Sequence, residues 1–89
     1  MMVEVRLFAN LREAAGRDSI RLEFSSAPTV CKMLERLLLK APVLRGILYK
    51  DGKYDDRYKV LVDSNMVFPE DFGRRTGTRF AILPPVSGG

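Results

Sequence analysis

Thr29-Val30-Cys31-Lys32-Met33-Leu34-Glu35-Arg36-Leu37-Leu38-Leu39-Lys40-Ala41-Pro42 is where the periodicity of this sequence changes. On both sides of it apolar residues alternate with polar ones. Within it, Val30, Met33, Leu34, Leu37, Leu38 and Ala41 follow the spacing of a helix buried along one face. Thr29 stands where an N-cap belongs, its hydroxyl placed to accept from an early backbone N–H. Pro42 stops the helix, because the residue before a proline is driven out of the α region. Cys31 lies beside the apolar stripe and reads as a small packing residue.

Working outward, the flanks have period two. In MVEVRLFA, Val3, Val5 and Leu7 share one face and Glu4, Arg6 and Phe8 the other, which predicts a strand with one buried face. SIRLEF repeats the pattern with Ile20, Leu22 and Phe24. The connection between them, about nine residues, suggests a wide hairpin, with Leu11 tucked into the core. After the helix, VLRGILY suits a short further helical turn, and KDGKYDD is a polar turn around Asp51-Gly52. YKVLV and MVF read as strands joined by a tight Asp63-Ser64-Asn65 turn. PEDFGRRTGT is irregular, with Thr76-Gly77 a turn, and RFAIL is the last strand. Strands before and after one long helix predict an α+β domain, a sheet with the helix on one face. The simplest arrangement sets the first and last strands side by side and parallel at the centre, as in a β-grasp.

The totals narrow the function classes. The chain has 89 residues, enough for one domain and one core but no large internal cavity. With no histidine and one cysteine it holds no Ser-His or Cys-His nucleophile pair, no internal disulfide and no four-ligand structural zinc site. No metal site is therefore expected. No apolar run reaches the length of a membrane span, and the first residues lack the layout of a signal peptide, so no membrane is expected and the expected location is cytoplasmic. The net charge of +4 raises nucleic acid as a partner. The basic residues are scattered, Arg74-Arg75 being the one adjacent pair, and no aromatic-rich signature accompanies them, so no nucleic acid is expected.

The sequence closes on Pro84-Pro85-Val86-Ser87-Gly88-Gly89. Two prolines hold the base of this arm extended, and two glycines lack the Cβ that would bar a narrow channel. Six residues reach about 20 Å, enough to put the last carbon inside another protein. A terminal carboxylate is a poor acyl donor until its oxygen becomes a good leaving group. The phosphate-binding GxxxxGK[ST] loop is absent, so activation would come from a partner.

FANLREAAG, LVDSN and FAILPPVSGG, in this order along nearly the whole chain, resemble the MoaD/ThiS sulfur-carrier family, most of all its MoaD branch, the small subunit of molybdopterin synthase. The chain departs from that pattern at Asp63-Ser64-Asn65, where relatives usually carry Asn-Gly, and at Arg75-Thr76-Gly77-Thr78, where Asp-Gly-Asp is common. The resemblance implies a ubiquitin-like β-grasp over residues 1–83, a mixed sheet of four to five strands with one main helix on one face, and a flexible reactive tail over 84–89. It implies that Gly89 is adenylated and converted to a thiocarboxylate whose sulfur goes to a pterin precursor, in making a molybdenum or tungsten cofactor. Gly88, Ser87, Val86, Pro85 and Pro84 would then thread into the partner. Phe8, Met66 and Leu83 would form an apolar partner-binding patch. The implied partners are the large (MoaE-like) subunit of molybdopterin synthase, an adenylating (MoeB-like) enzyme that uses ATP, and a persulfide sulfur donor. The chain would bind no cofactor of its own and act as a non-catalytic carrier subunit. Three other readings share parts of this: a ubiquitin-like modifier joined to lysines through Gly89, a ThiS-type carrier for thiazole synthesis, and a plain binding module.

Overall fold

Alternation along the flanks builds one mixed sheet in the structure, a computed structural model describing residues 1–86. The strands are β1 (Met2–Leu7), β2 (Ser19–Glu23), β3 (Tyr49–Lys50), β4 (Lys53–Tyr54), β5 (Lys59–Val62), β6 (Asn65–Val67) and β7 (Arg79–Leu83). The helices are α1 (Asn10–Ala15), α2 (Val30–Lys40) and α3 (Arg45–Leu48). Five strands pair in the order β2-β1-β7-β5-β6. β1 and β7 lie side by side and parallel, Val5 opposite Phe80 and Leu7 opposite Ile82. The other three pairings are antiparallel. This is the expected β-grasp, and its central pair has the expected direction.

Helix α2 covers one face. Val30, Met33, Leu34, Leu37 and Leu38 are buried on it, and the Thr29 hydroxyl accepts from the Lys32 N–H at 3.2 Å. They meet Val3, Val5, Leu7, Ile20, Leu22, Val60, Val62, Val67, Phe80 and Ile82 from the sheet in one core. Cys31 is exposed, against the expectation of a packing role. One residue along a helix turns a side chain by about 100°, and here that turn carries Cys31 off the buried stripe.

Three other details differ from or refine the sequence reading. The β1–β2 connection contains α1, ended by Gly16 in the left-handed region (φ 76°), whose N–H donates to the Arg12 carbonyl at 2.9 Å. Leu11 is fully buried there, as expected. The Asp51-Gly52 turn joins the two-residue strands β3 and β4, with φ 52° and 77° at its centre. Gly77 is needed for close approach: a Cβ on it would stand 2.4 Å from a Val62 methyl and 2.7 Å from Asp63 Oδ2.

Candidate functional site

The face of the sheet that α2 leaves uncovered is built by the same alternation that builds the core. Val60 and Val62 point inward on β5, so Leu61 points out; Phe80 and Ile82 point inward on β7, so Ala81 and Leu83 point out. The pairing then assembles them. Leu61 stands opposite Met66 on one side and Ala81 on the other. Leu83 stands opposite Lys59. Phe8 follows Leu7, and Leu83 follows Ile82, one step beyond a matched pair of the central strands.

All three sequence-predicted patch residues therefore sit on the open side. Phe8 and Leu83 are half-buried and Met66 is 46% exposed. Phe8 and Leu83 are near neighbours at the ends of adjacent strands, whereas Met66 reaches them only through Leu61 and Ala81. Phe72 does not cover this patch: it is in the core, and its carbonyl accepts from the Cys31 N–H at the start of α2. Leu61, Ala81 and Phe68, which is 51% exposed, extend the patch and were missed. Parity along β5, β6 and β7 was the signal that would have found them.

Charge frames the apolar strip. Arg6 stands opposite Ala81 on the central pair, and its guanidinium lies 5.5 Å from the Phe8 ring centroid, within cation–π range. Glu4 stands opposite Arg79. Arg6, Arg79, Glu4, Phe8, Leu61, Ser64 and Ala81 line a shallow cleft on this face. The rim is held by Asp63, whose carboxylate accepts from the backbone N–H groups of Thr78 and Arg79 at 3.4 and 3.1 Å. Titration is disturbed away from this face. Hydrogen bonds from Arg57 hold Asp55 down to about 2, and burial pushes the Tyr54 phenol up. Among the described residues no cluster of His, Cys, Asp or Glu has the makings of a metal site, and no helix is long and apolar enough to cross a membrane.

β7 ends at Leu83, and the chain continues through Pro84, Pro85 and Val86 without regular structure. Pro84 and Pro85 are half-buried and share a pocket with Ala9, Asn10 and Tyr58; Val86 is 90% exposed. Ser87, Gly88 and Gly89, to which the threading and reacting roles were assigned, lie outside the described residues.

Comparison with known proteins gives a consistent result. The model of the ThiS family matches residues 5–89. Small archaeal modifier protein 1 of Haloferax volcanii is 33% identical over 98% of this chain and 100% of its own length. The molybdopterin synthase sulfur carrier subunit of Arabidopsis thaliana is also 33% identical, over 98% of this chain and 82% of its own. Among solved structures, the crystal structure of SAMP1 from Haloferax volcanii superposes with a TM-score of 0.87 at 33% identity, over the full length of both chains.

Proposed function

We propose, from the premise that this chain belongs to the ThiS family, that it is a sulfur carrier with Gly89 as its reacting terminus, serving as the small subunit of a molybdopterin synthase. The observation that carries the reading is continuity. The open-face apolar strip runs to Phe8 and Leu83, and the next residue, Pro84, begins the arm. A partner that covers the strip receives the arm at a fixed place.

The chemistry follows from the carboxylate. ATP, used by an adenylating partner, converts the Gly89 carboxylate to an acyl-adenylate and releases pyrophosphate. A persulfide sulfur from a donor enzyme then attacks the acyl carbon and AMP leaves. Reductive cleavage of the resulting acyl disulfide by a thiol leaves the thiocarboxylate. That sulfur is nucleophilic near neutral pH and is passed to a pterin precursor held by the large subunit. Residues 84–89 are the arm in this scheme, Gly88 and Gly89 entering the channel because a side chain would block it. Phe8, Met66 and Leu83 anchor the partner.

A second reading has a specific observation behind it: a relative matched over its whole length is named a modifier protein. The acyl-adenylate serves it equally well, with a lysine amine on another protein attacking in place of sulfur.

Intact mass spectrometry tests both. The chain is incubated with the adenylating enzyme, ATP and a persulfide source. The expected product has one oxygen of the terminal carboxylate replaced by sulfur, and deletion of Gly89 abolishes it while the thermal melt is unchanged. A truncated chain that still carries sulfur would end the proposal. Covalent adducts on other proteins, with no transfer to the pterin precursor, would favour the modifier.

A further inference from the structure

The end of β7 is flanked by the exit of β1 and the entry of β5. Leu7 pairs with Ile82 on one side, and Lys59 pairs with Leu83 on the other. The chain turns away from β1 at Ala9-Asn10 and enters β5 from Tyr58. Pro84 and Pro85 emerge between these two points and share one pocket with them.

The flanks are tied to each other. Asn10 Nδ2 donates to the Tyr58 hydroxyl at 2.8 Å across 48 residues of sequence. Tyr58 is held further by its own backbone: its carbonyl accepts from the Tyr54 hydroxyl at 2.8 Å, and its N–H donates to the Asp55 carbonyl at 3.0 Å. Tyr58 as a whole is 8% exposed. On the other flank Ala9 has φ 50° and ψ −122°, a backbone conformation that is strained for a residue with a Cβ. Its carbonyl accepts from the Glu13 N–H at 3.0 Å, the first bond of α1. That backbone turn redirects the chain from β1 into α1 beside the pocket that Pro84 and Pro85 also line.

We propose that Ala9, Asn10 and Tyr58 form a seat for Pro84 and Pro85 that sets the direction in which the arm leaves the sheet, with Asn10 and Tyr58 as positioning residues. The inference rests on the sulfur-carrier reading for its purpose but not for its geometry. An arm aimed by its foot arrives at the activating enzyme already oriented, and orientation governs the rate of the acyl step more than the affinity of docking.

The test uses the full chain with Tyr58→Phe, Asn10→Leu and Asn10→Asp. The first two remove the hydrogen bond. The third keeps it, since the phenol then donates to the carboxylate. NMR relaxation of the Val86 amide reads the foot of the arm. Its order parameter is the same in the native chain and in Asn10→Asp, and it is lower in the other two. With the organism's adenylating enzyme and ATP, pyrophosphate release by Tyr58→Phe and Asn10→Leu shows kcat reduced by about tenfold and KM within about twofold of native. Asn10→Asp keeps the native kcat. Native and variant chains with the same Val86 order parameter, or variants whose loss is entirely in KM, would overturn the seat. If the native chain releases no pyrophosphate, the sulfur-carrier reading fails, and the relaxation data alone decide whether the seat exists.

Discussion

The two faces of this sheet are made by the same strands, one residue apart, and they differ in almost everything else. The covered face carries Val3, Val5, Leu7, Val60, Val62, Phe80 and Ile82, all buried. The open face carries Glu4, Arg6, Phe8, Lys59, Leu61, Arg79, Ala81 and Leu83, exposed or half-buried. The covered face is uniform because burial against α2 demands apolar volume at every position. The open face is mixed because nothing in the fold demands anything there, so its apolar members need a different cause. The docking proposed above would supply one. On this view stability is concentrated on one side of the sheet and recognition on the other.

The largest effect should come from breaking the covered side. Phe80 is among the largest fully buried side chains, and Phe80→Ala should cost about 3–5 kcal/mol. Arg79→Ala, one residue earlier and exposed, should stay within about 0.5 kcal/mol of native. Urea melts of the pair measure the contrast, and similar losses would mean that the faces are not distinct in energy. Gly77→Ala comes next. The added methyl collides with Val62 on the covered side and with the Asp63 carboxylate, and relieving both contacts should cost about 1–3 kcal/mol. A native-like melt would show that Val62 and Asp63 yield at no cost.

Periodicity was enough for the covered side. The stripe of α2 and the alternation of β1, β2, β5 and β7 identify the core residues and the order of elements. Elements too short to show a period stayed hidden. α1 has six residues and one buried side chain, and β3 and β4 have two residues each. Phe8, Leu83 and Met66 came from parity and resemblance combined. Leu61 and Phe68 were within reach of the same parity, whereas the Asn10–Tyr58 contact joins residues that no local pattern relates. The role of Gly77 was misread for a simple reason. Thr76-Gly77 reads as a turn, while in the structure Thr76 bridges Thr29 and what matters at Gly77 is the missing Cβ.

Substitutions on the open side should separate recognition from stability. Phe8→Ala and Leu83→Ala should each weaken docking to the large subunit by about 1 kcal/mol or more. Each should destabilise the isolated chain less than Phe80→Ala does, because both side chains are half-buried before any partner arrives. Calorimetric titration beside denaturant melts measures the two quantities on the same samples. Full affinity together with a badly destabilised fold would mean that the two faces have exchanged roles.

The smallest effect sharpens the comparison at the rim between the faces. The β5–β6 turn places Asp63 at φ 49° and Ser64 at φ 74°, the left-handed pair that a two-residue hairpin requires. Asp63 is retained for a reason the backbone does not show: its carboxylate holds the N–H groups of Thr78 and Arg79 and so ties this turn to the start of β7. Among the described residues no hydrogen bond engages the Ser64 side chain, which borders the open-face cleft. Ser64→Gly removes the cost of left-handed backbone, roughly 1–2 kcal/mol for a residue with a Cβ, but raises the entropy of the unfolded chain by about 0.4–1 kcal/mol. The difference leaves a gain between about zero and about 1.6 kcal/mol. Asp63→Gly relieves the same strain and loses two hydrogen bonds, so it should be the less stable of the two variants. Thermal melts of both give the order. If Ser64→Gly loses stability, the serine hydroxyl contributes to the rim. In that case part of the open face is held by the fold itself, and the division between the faces is less complete than the strand pattern implies.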